Sequence, residues 1–326
     1  MLKIRVGIIG AGAIAAVMAD TLSKMTRAEA YAIASRDLAK AEQFAKVHKV
    51  KCSYGSYEEM LKDKKVDLVY IATPHTFHYE QARMCINYGK PVLVEKPFCV
   101  TVKETEELLA YAKERDVFIT EAIWTRYMPM VEEIKNALTA GVIGEPKMLT
   151  ANLGYALMHK TRVVSPELAG GALLDVGIYP LNFAAMLFGH DVVKTEAVCT
   201  FTETGVDAND GIVLTYGDGK MAVINSSMVA VSDRLGIIQG DKGYMIVENV
   251  NNFEGFTVYD NSHKKISSKK RPKQISGYEY EVEACRVALS KKQLSCPQMP
   301  HEETIRMMKQ MEQIRRICKI KYPFEN

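Results

Sequence analysis

Lys96 stands in Glu95-Lys96-Pro97, directly after the apolar run Val92-Leu93-Val94. That run reads as a buried strand, and a long lysine at its carboxyl end lies where doubly wound sheets place their ligands. Far upstream, Gly10-Ala11-Gly12-Ala13-Ile14-Ala15 follows Ile4-Arg5-Val6-Gly7-Ile8-Ile9. Gly10 permits a tight turn, and Gly12 lets the backbone approach a pyrophosphate. The N–H groups at the helix start, around Ala13 and Ile14, face its phosphates, and Ala15 allows close helix–strand packing. A glycine pair alone often only ends a strand. Here it sits between a strand and a helix, so it reads as a nucleotide site. Together the two features point to a nucleotide cofactor and a reactive cation.

The end of the second strand selects the cofactor. An acidic residue there would hold the ribose hydroxyls of NAD, but this chain has Ala34-Ser35-Arg36-Asp37. Ser35 and Arg36 favour a 2′-phosphate, hence NADP over NAD; an Arg36 facing solvent and an Asp37 that only caps its helix would leave the choice undecided. Hydride transfer between a carbinol and nicotinamide also needs a group that takes the hydroxyl proton. Asp175 and Tyr179 are four apart in a helical pattern and so are expected on one face. A tyrosine of ordinary pKa, near ~10, is a poor base at neutral pH, and a nearby ammonium favours its phenolate. These residues give a hypothesis: Tyr179 is the general acid/base, Lys96 lowers its pKa and binds the substrate oxygen, and Asp175 orients substrate or lysine. Each also has an ordinary reading: Lys96 as a surface lysine, Asp175 as a helix brace, Tyr179 as core aromatic.

The elements that must position these residues follow from the apolar pattern. Strands are expected at 4–9, 30–34, 51–54, 68–72, 91–94 and 118–120, with helices near 14–25, 37–47, 56–62, 76–88 and 103–115. Asp37 and Thr101 are suited to cap two of them. Alternation of this kind gives an α/β fold, a doubly wound parallel sheet of the Rossmann kind. After about residue 122 the pattern changes. Helices are expected near 128–140, 172–188, 278–290 and 301–318. Strands near 192–202, 210–216, 220–229, 234–240 and 244–248 imply a mostly antiparallel sheet in an α+β domain. Residues 249–276 read as loop with one short strand at 256–259. The expected domains are therefore 1–122, binding NADP, and 123–326, binding substrate and another subunit.

The chain has 326 residues, 48% hydrophobic and 25% charged, with a formal net charge of +3. That charge is too small to imply nucleic acid or a membrane surface. The densest basic stretch, Lys264-Lys265 to Lys269-Lys270-Arg271, reads as a solvated loop because no aromatic residues interleave it. Seven cysteines form no CxxC pair, which argues for a reducing compartment rather than a disulfide framework or zinc site. No apolar run long enough to cross a bilayer is expected, and the protein reads as cytoplasmic. The seven histidines are scattered without a metal-ligand spacing, so no metal is expected.

The glycine fingerprint, Ala72-Thr73-Pro74-His75-Thr76-Phe77-His78 and Glu95-Lys96-Pro97 together resemble the glucose–fructose oxidoreductase/inositol dehydrogenase/MocA family across the whole chain. Two further segments, Glu121-Ala122-Ile123-Trp124-Thr125-Arg126-Tyr127-Met128-Pro129 and Gly170-Gly171-Ala172-Leu173-Leu174-Asp175-Val176-Gly177-Ile178-Tyr179-Pro180, resemble the branch with the dimeric trans-dihydrodiol dehydrogenases and NADP-dependent D-xylose dehydrogenases. The resemblance implies an NAD(P)-dependent oxidoreductase acting on a small sugar, polyol or cyclic diol, or the matching carbonyl compound. It places Thr73, Pro74, His78, Glu95 and Lys96 at the cofactor and Trp124 and Arg126 at the pocket. Trp124 reads equally as a packing anchor. Many family members carry histidine where this chain has Tyr179. The resemblance also implies that the exposed face of the antiparallel sheet packs on another subunit, giving a homodimer or larger homo-oligomer. The same fold serves non-catalytic dinucleotide sensors; the joint presence of Lys96, Asp175 and Tyr179 favours an enzyme. A cis bond before Pro74 or Pro97 is a further expectation.

Overall fold

The computed structural model describes residues 3–325, which form two compact units. The first runs through Trp124 and takes in Gln274–Ile305 as well; the second comprises Thr125–Lys273 and the chain from Arg306 onward. A single cut after residue 122 would place 274–305 in the second domain, whereas these residues pack with the first.

Unit one alternates strand and helix: β1 (Ile4–Ile9), α1 (Ala13–Lys24), β2 (Ala28–Ala34), α2 (Leu38–His48), β3 (Cys52–Tyr54), α3 (Tyr57–Lys62), β4 (Leu68–Ile71), α4 (His78–Asn87), β5 (Val92–Glu95), α5 (Val102–Glu114) and β6 (Ile119–Ala122). The six strands pair in parallel in the order β3-β2-β1-β4-β5-β6. The order reverses between β1 and β4, so the crevice for a ligand opens at their carboxyl ends. Helices cover both faces, so β4 and β5 are buried along their whole length and read as apolar runs. Ile9, Ile71, Val94, Phe98 and Ile119 belong to one buried core. The expected caps are present. Asp37 accepts the Lys40 N–H, and Thr101 forms a capping box with Glu104 at the start of α5.

Unit two contains α6 (Pro129–Thr139), β7 (Pro146–Gly154), α7 (Thr161–Val164), α8 (Ile178–Phe188), β8 (Val192–Phe201), β9 (Asp207–Tyr216), β10 (Met221–Ser227), β11 (Gly236–Gly240), β12 (Gly243–Glu248), β13 (Gly255–Asp260) and β14 (Lys265–Lys270). α9 (Glu279–Ser290) returns to unit one, and the boundary between units falls within α10 (His301–Cys318). The eight strands run β14-β13-β12-β11-β7-β10-β9-β8, antiparallel except for the parallel pair β7–β10.

Four expectations change here. β7 lies mid-sheet although no strand was expected there. It opens on Pro146 and closes on Asn152-Leu153-Gly154, residues that mask a strand. The basic stretch 265–270 is not a loop but the exposed edge strand β14, whose lysines guard the sheet edge. The helix expected at 172–188 opens with a π-helical turn, Leu173–Gly177, before α8 begins. Contrary to the expectation of no such run, Pro166–Phe188 is long and apolar enough to cross a bilayer by length and composition; its most apolar window is 83% buried inside the protein, as in a core helix. α8 packs on the sheet closely enough that a methyl at Gly236 of β11 would lie 2.5 Å from the Phe183 ring.

Candidate active-site residues

The turn after β1 is shaped for a close ligand. Gly10 has φ +96°, a conformation L side chains rarely adopt, and a methyl there would lie 2.9 Å from the Ala72 carbonyl oxygen. Gly12 is exposed at the N-cap of α1 and supplies no side-chain cap. The first N–H groups of α1, at Ala13, Ile14 and Ala15, therefore remain available to an anion, and Ala15 is fully buried against the sheet. This cradle fits a dinucleotide pyrophosphate.

The end of β2 offers cations and hydroxyls rather than a free carboxylate. Ser35 is buried and its Oγ accepts the Asp37 N–H at 3.3 Å. Arg36 is exposed, with its guanidinium carbon 5.6 Å from the centre of the Phe77 ring. Asp37 Oδ1 accepts the Lys40 N–H at 3.3 Å, so this carboxylate serves α2. With Arg36 exposed and Asp37 capping α2, this end of the strand does not by itself decide between NADP and NAD.

The loops after β4 and β5 are tied together. Thr73 Oγ1 donates to Gln81 Oε1 at 2.6 Å, and Pro74 precedes a short 3-10 turn at His75–Phe77. His78 is wholly buried, with Nδ1 2.9 Å from the Pro97 carbonyl and Nε2 2.9 Å from that of Thr73. Burial pulls its pKa below the ordinary value, against the carbonyl contacts that favour the protonated ring. With no exposed surface, it reaches a cofactor only through the two loops it bridges. The Lys96-Pro97 bond is cis; the bond before Pro74 is not among the cis bonds.

Lys96 is half-buried at the carboxyl end of β5. Glu95 beside it is buried: Oε1 accepts a short hydrogen bond from the Tyr70 hydroxyl and Oε2 accepts the Lys96 N–H at 3.2 Å. A second glutamate, Glu281 of α9, is fully buried in the same unit, with neither carboxyl oxygen hydrogen-bonded. Burial, and then the like charge of Glu95, hold its carboxyl well above the usual range. Trp124 lies stacked on Tyr278, centroids 4.2 Å apart and planes at 11°. Trp124 thus packs on Tyr278, a partner that sequence reasoning missed.

In unit two, Asp175 sits in the π turn and Tyr179 in the first turn of α8; both are at least nine-tenths buried. π turns are rare and concentrate at functional sites. Asp175 is paired with Arg162 of α7, a residue the sequence did not single out because it lies in a segment without an apolar period. Arg126 donates from Nε to Asn182 Oδ1, and Asn182 in turn donates to the Ile178 carbonyl at 2.8 Å. Arg126 thus braces the first turns of α8. Lys96, Glu95, His78, Trp124 and the glycine turn all belong to unit one. Asp175, Tyr179 and Arg126 belong to unit two.

Comparison with known proteins extends these observations. Residues 4–122 match the family model described as "Oxidoreductase family, NAD-binding Rossmann fold", and residues 131–246 match the "GFO/IDH/MocA C-terminal domain". The chain is similar to trans-1,2-dihydrobenzene-1,2-diol dehydrogenase of Bos taurus, 34% identical over 331 residues, covering 99% of each chain. It is similar to the Homo sapiens enzyme of the same name at 32%, again over 99% of each. Among solved structures it resembles KijD10, a 3-ketoreductase from Actinomadura kijaniata crystallised with NADP and TDP-benzene, with TM-score 0.86 and 25% identity over 97% of this chain and 98% of that one. Aldose-aldose oxidoreductase from Caulobacter crescentus shares the fold, with TM-score 0.87 at 20% identity over 97% of this chain and 98% of that one.

Proposed function

The chain belongs to the Gfo/Idh/MocA oxidoreductase family, and from that premise we propose that it oxidises a small polyol, sugar or cyclic diol, or reduces the matching carbonyl compound, with NADP as preferred cofactor. It is an NAD(P)-dependent oxidoreductase with a Rossmann cofactor-binding unit. The observation that carries the proposal is Lys96: a half-buried ammonium at the carboxyl end of β5, in a dinucleotide fold whose glycine turn is open to phosphate. Relatives named as diol dehydrogenases over the full length support the substrate class.

When bound, the nicotinamide supplies or accepts the hydride. In our reading the protein's own residues handle the proton and the position. Tyr179 takes the hydroxyl proton at its phenolic oxygen during oxidation and returns it during reduction. Lys96 supplies the positive charge that stabilises the oxygen losing that proton. Asp175, fixed by Arg162, orients the substrate hydroxyls. Gly10, Gly12, Ala13 and Ile14 present backbone to the pyrophosphate, and Ser35 and Arg36 receive the 2′-phosphate. Thr73, Pro74, His78 and Glu95 set the shape of the two loops at the nicotinamide end.

Two further points belong to the same reading. The eight-stranded sheet carries Val193, Val198, Met221 and Ile266 exposed, which supports a homodimer or larger homo-oligomer built on it. A monomer by light scattering at micromolar concentration would count against this. All seven cysteines are free thiols, which supports a cytoplasmic setting.

The test is absorbance of reduced nicotinamide while the protein and NADP⁺ meet pentoses, hexoses, inositols and cyclic diols, with NADPH and dicarbonyl compounds in parallel. Turnover that vanishes in Lys96→Met supports the proposal. Absence of turnover across the panel, with NADP bound, removes this substrate class.

A further inference from the structure

The helical stretch that carries Asp175 and Tyr179 has no cap from its own N-cap residue, Ala172. The cap comes from the sheet. At the start of β9, Asp207 Oδ2 accepts the Leu173 N–H at 2.6 Å. A methyl at Gly171 would lie 2.0 Å from Asp207 Oδ1, so the glycine is what admits the carboxyl there. At the other end of the π turn, a side chain fixed by the same strand comes close to the backbone. A methyl at Gly177 would lie 2.8 Å from Ser226 Oγ, and that hydroxyl donates to Asp210 Oδ2 at 2.7 Å.

Asp207 and Asp210 are 0% and 3% exposed. Each keeps one oxygen, Oδ1, without a protein donor. Burial pushes both carboxyls upward, and for Asp210 the charge of Asp207 adds to it. The groups facing the pair are Arg315, Cys318 and Tyr322 from the C-terminal segment, Cys199 from β8 and Ser226 from β10. Arg315 is itself paired with Glu325, and the Tyr322 hydroxyl donates to the Gly170 carbonyl at 2.9 Å. The glycine pair, the π turn and the two carboxyls therefore form one buried network.

We propose that Asp207 and Asp210 are positioning residues: two buried carboxyls of β9, Asp207 holding the start of the π turn at the Leu173 N–H and Asp210 holding Ser226 close against Gly177, which together set Asp175 and Tyr179 for the proton step. This rests on the functional reading above. Asp210 must accept the Ser226 hydroxyl, which an amide oxygen also does, whereas Asp207 must accept the Leu173 N–H.

The full chain is prepared as Asp210→Asn, Asp207→Asn and Asp207→Ala. Amide hydrogen exchange over 172–178 reads the grip without any turnover, and kcat, KM, the pH profile of kcat and NADP affinity read its consequence. Asp210→Asn is expected to keep wild-type exchange and kcat within about threefold. Asp207→Ala is expected to exchange over 172–178 about tenfold faster or more, and Asp207→Asn, which keeps an acceptor, by an intermediate amount. Asp207→Ala should also lose about tenfold or more in kcat with KM and NADP affinity nearly unchanged, and shift the limb of its kcat–pH profile. Wild-type exchange in Asp207→Ala overturns the proposal. So does a lowered melting temperature with the kcat–pH profile unmoved, which marks a purely structural role. If Asp207→Ala fails to fold, Asp207→Asn against Asp210→Asn decides the same question. If the wild type turns over no substrate, the functional reading fails while the exchange result still decides whether the pair holds the turn.

Discussion

Arg162 meets Asp175 with both arms of its guanidinium, Nη1 2.8 Å from Oδ1 and Nη2 3.3 Å from Oδ2. The carboxylate side chain is 5% exposed and the arginine 41%. The buried partner therefore depends on the pair more than the arginine does. Arg162→Gln removes this ion pair from the carboxylate, at a stability cost of about 1 kcal/mol once screening of the half-exposed arginine is allowed for. The kcat/KM is expected to fall about tenfold, because Asp175 loses its fixed orientation. Arg162→Lys keeps the charge but not the two-pronged geometry and should fall between. Steady-state kinetics on the three proteins check this, and equal kcat/KM would remove Arg162 from the site.

Tyr179→Phe removes the phenolic proton carrier and little volume. Its kcat should drop by a factor of about 10²–10⁴, with NADP binding by fluorescence titration nearly unchanged. Lys96→Met should lose at least as much. If Tyr179→Phe turned over nearly normally while Lys96→Met did not, the proton would have to pass through the lysine.

Arg36→Ala should raise the KM for NADP about tenfold or more while leaving that for NAD within about twofold, since only the former has a 2′-phosphate to lose. Asp37 stays on the Lys40 N–H in both proteins, so α2 keeps its cap. Cofactor kinetics of the wild type and variant settle the preference. A wild type that favours NAD would contradict the reading of Ser35 and Arg36.

Glu281 makes a prediction about stability. Burial and the neighbouring Glu95 raise its folded pKa above the unfolded value of about 4.3. Its contribution is fully present below that unfolded value and is lost as pH rises toward the folded one. Glu281→Gln has no proton to lose. The variant should gain on the wild type by up to about 1.4 kcal/mol per pH unit across that window. Denaturant titrations at pH 5, 6, 7 and 8 measure the difference, and a gap that stays constant with pH would refute the protonated assignment.

Much of unit one was legible because parallel strands buried on both faces are written as apolar runs, and because the capping residues Asp37 and Thr101 announce their helices. Gly10 was legible for a similar reason: its φ of +96° is nearly a glycine requirement. β7 was not, since its pairing with β10 and β11 is long-range and its own residues have weak strand preference. β14 was hidden because an exposed edge strand needs no apolar alternation. At the site, Lys96, Asp175 and Tyr179 stood out by residue type and motif. Arg162, Tyr278 and Asp207 did not. Each acts through a partner distant in sequence, and a carboxyl at the start of a strand reads as turn chemistry until the fold buries it.

One feature of unit one has a consequence for how the chain is made. The outer strand β6 is covered by a segment from the far end of the sequence: the Ile119 N–H donates to the Leu294 carbonyl at 2.9 Å, and Thr120 Oγ1 donates to the Met299 carbonyl at 3.2 Å, 179 residues away. At about 5–20 residues per second, a ribosome needs roughly 9–36 s to travel from one to the other. For that interval the nascent nucleotide-binding sheet carries a naked border, a template for pairing with neighbouring polysomal chains. Arrival of residues 294–299, rather than emergence of the first 122 residues, is then the moment at which this sheet first becomes safe from its own copies.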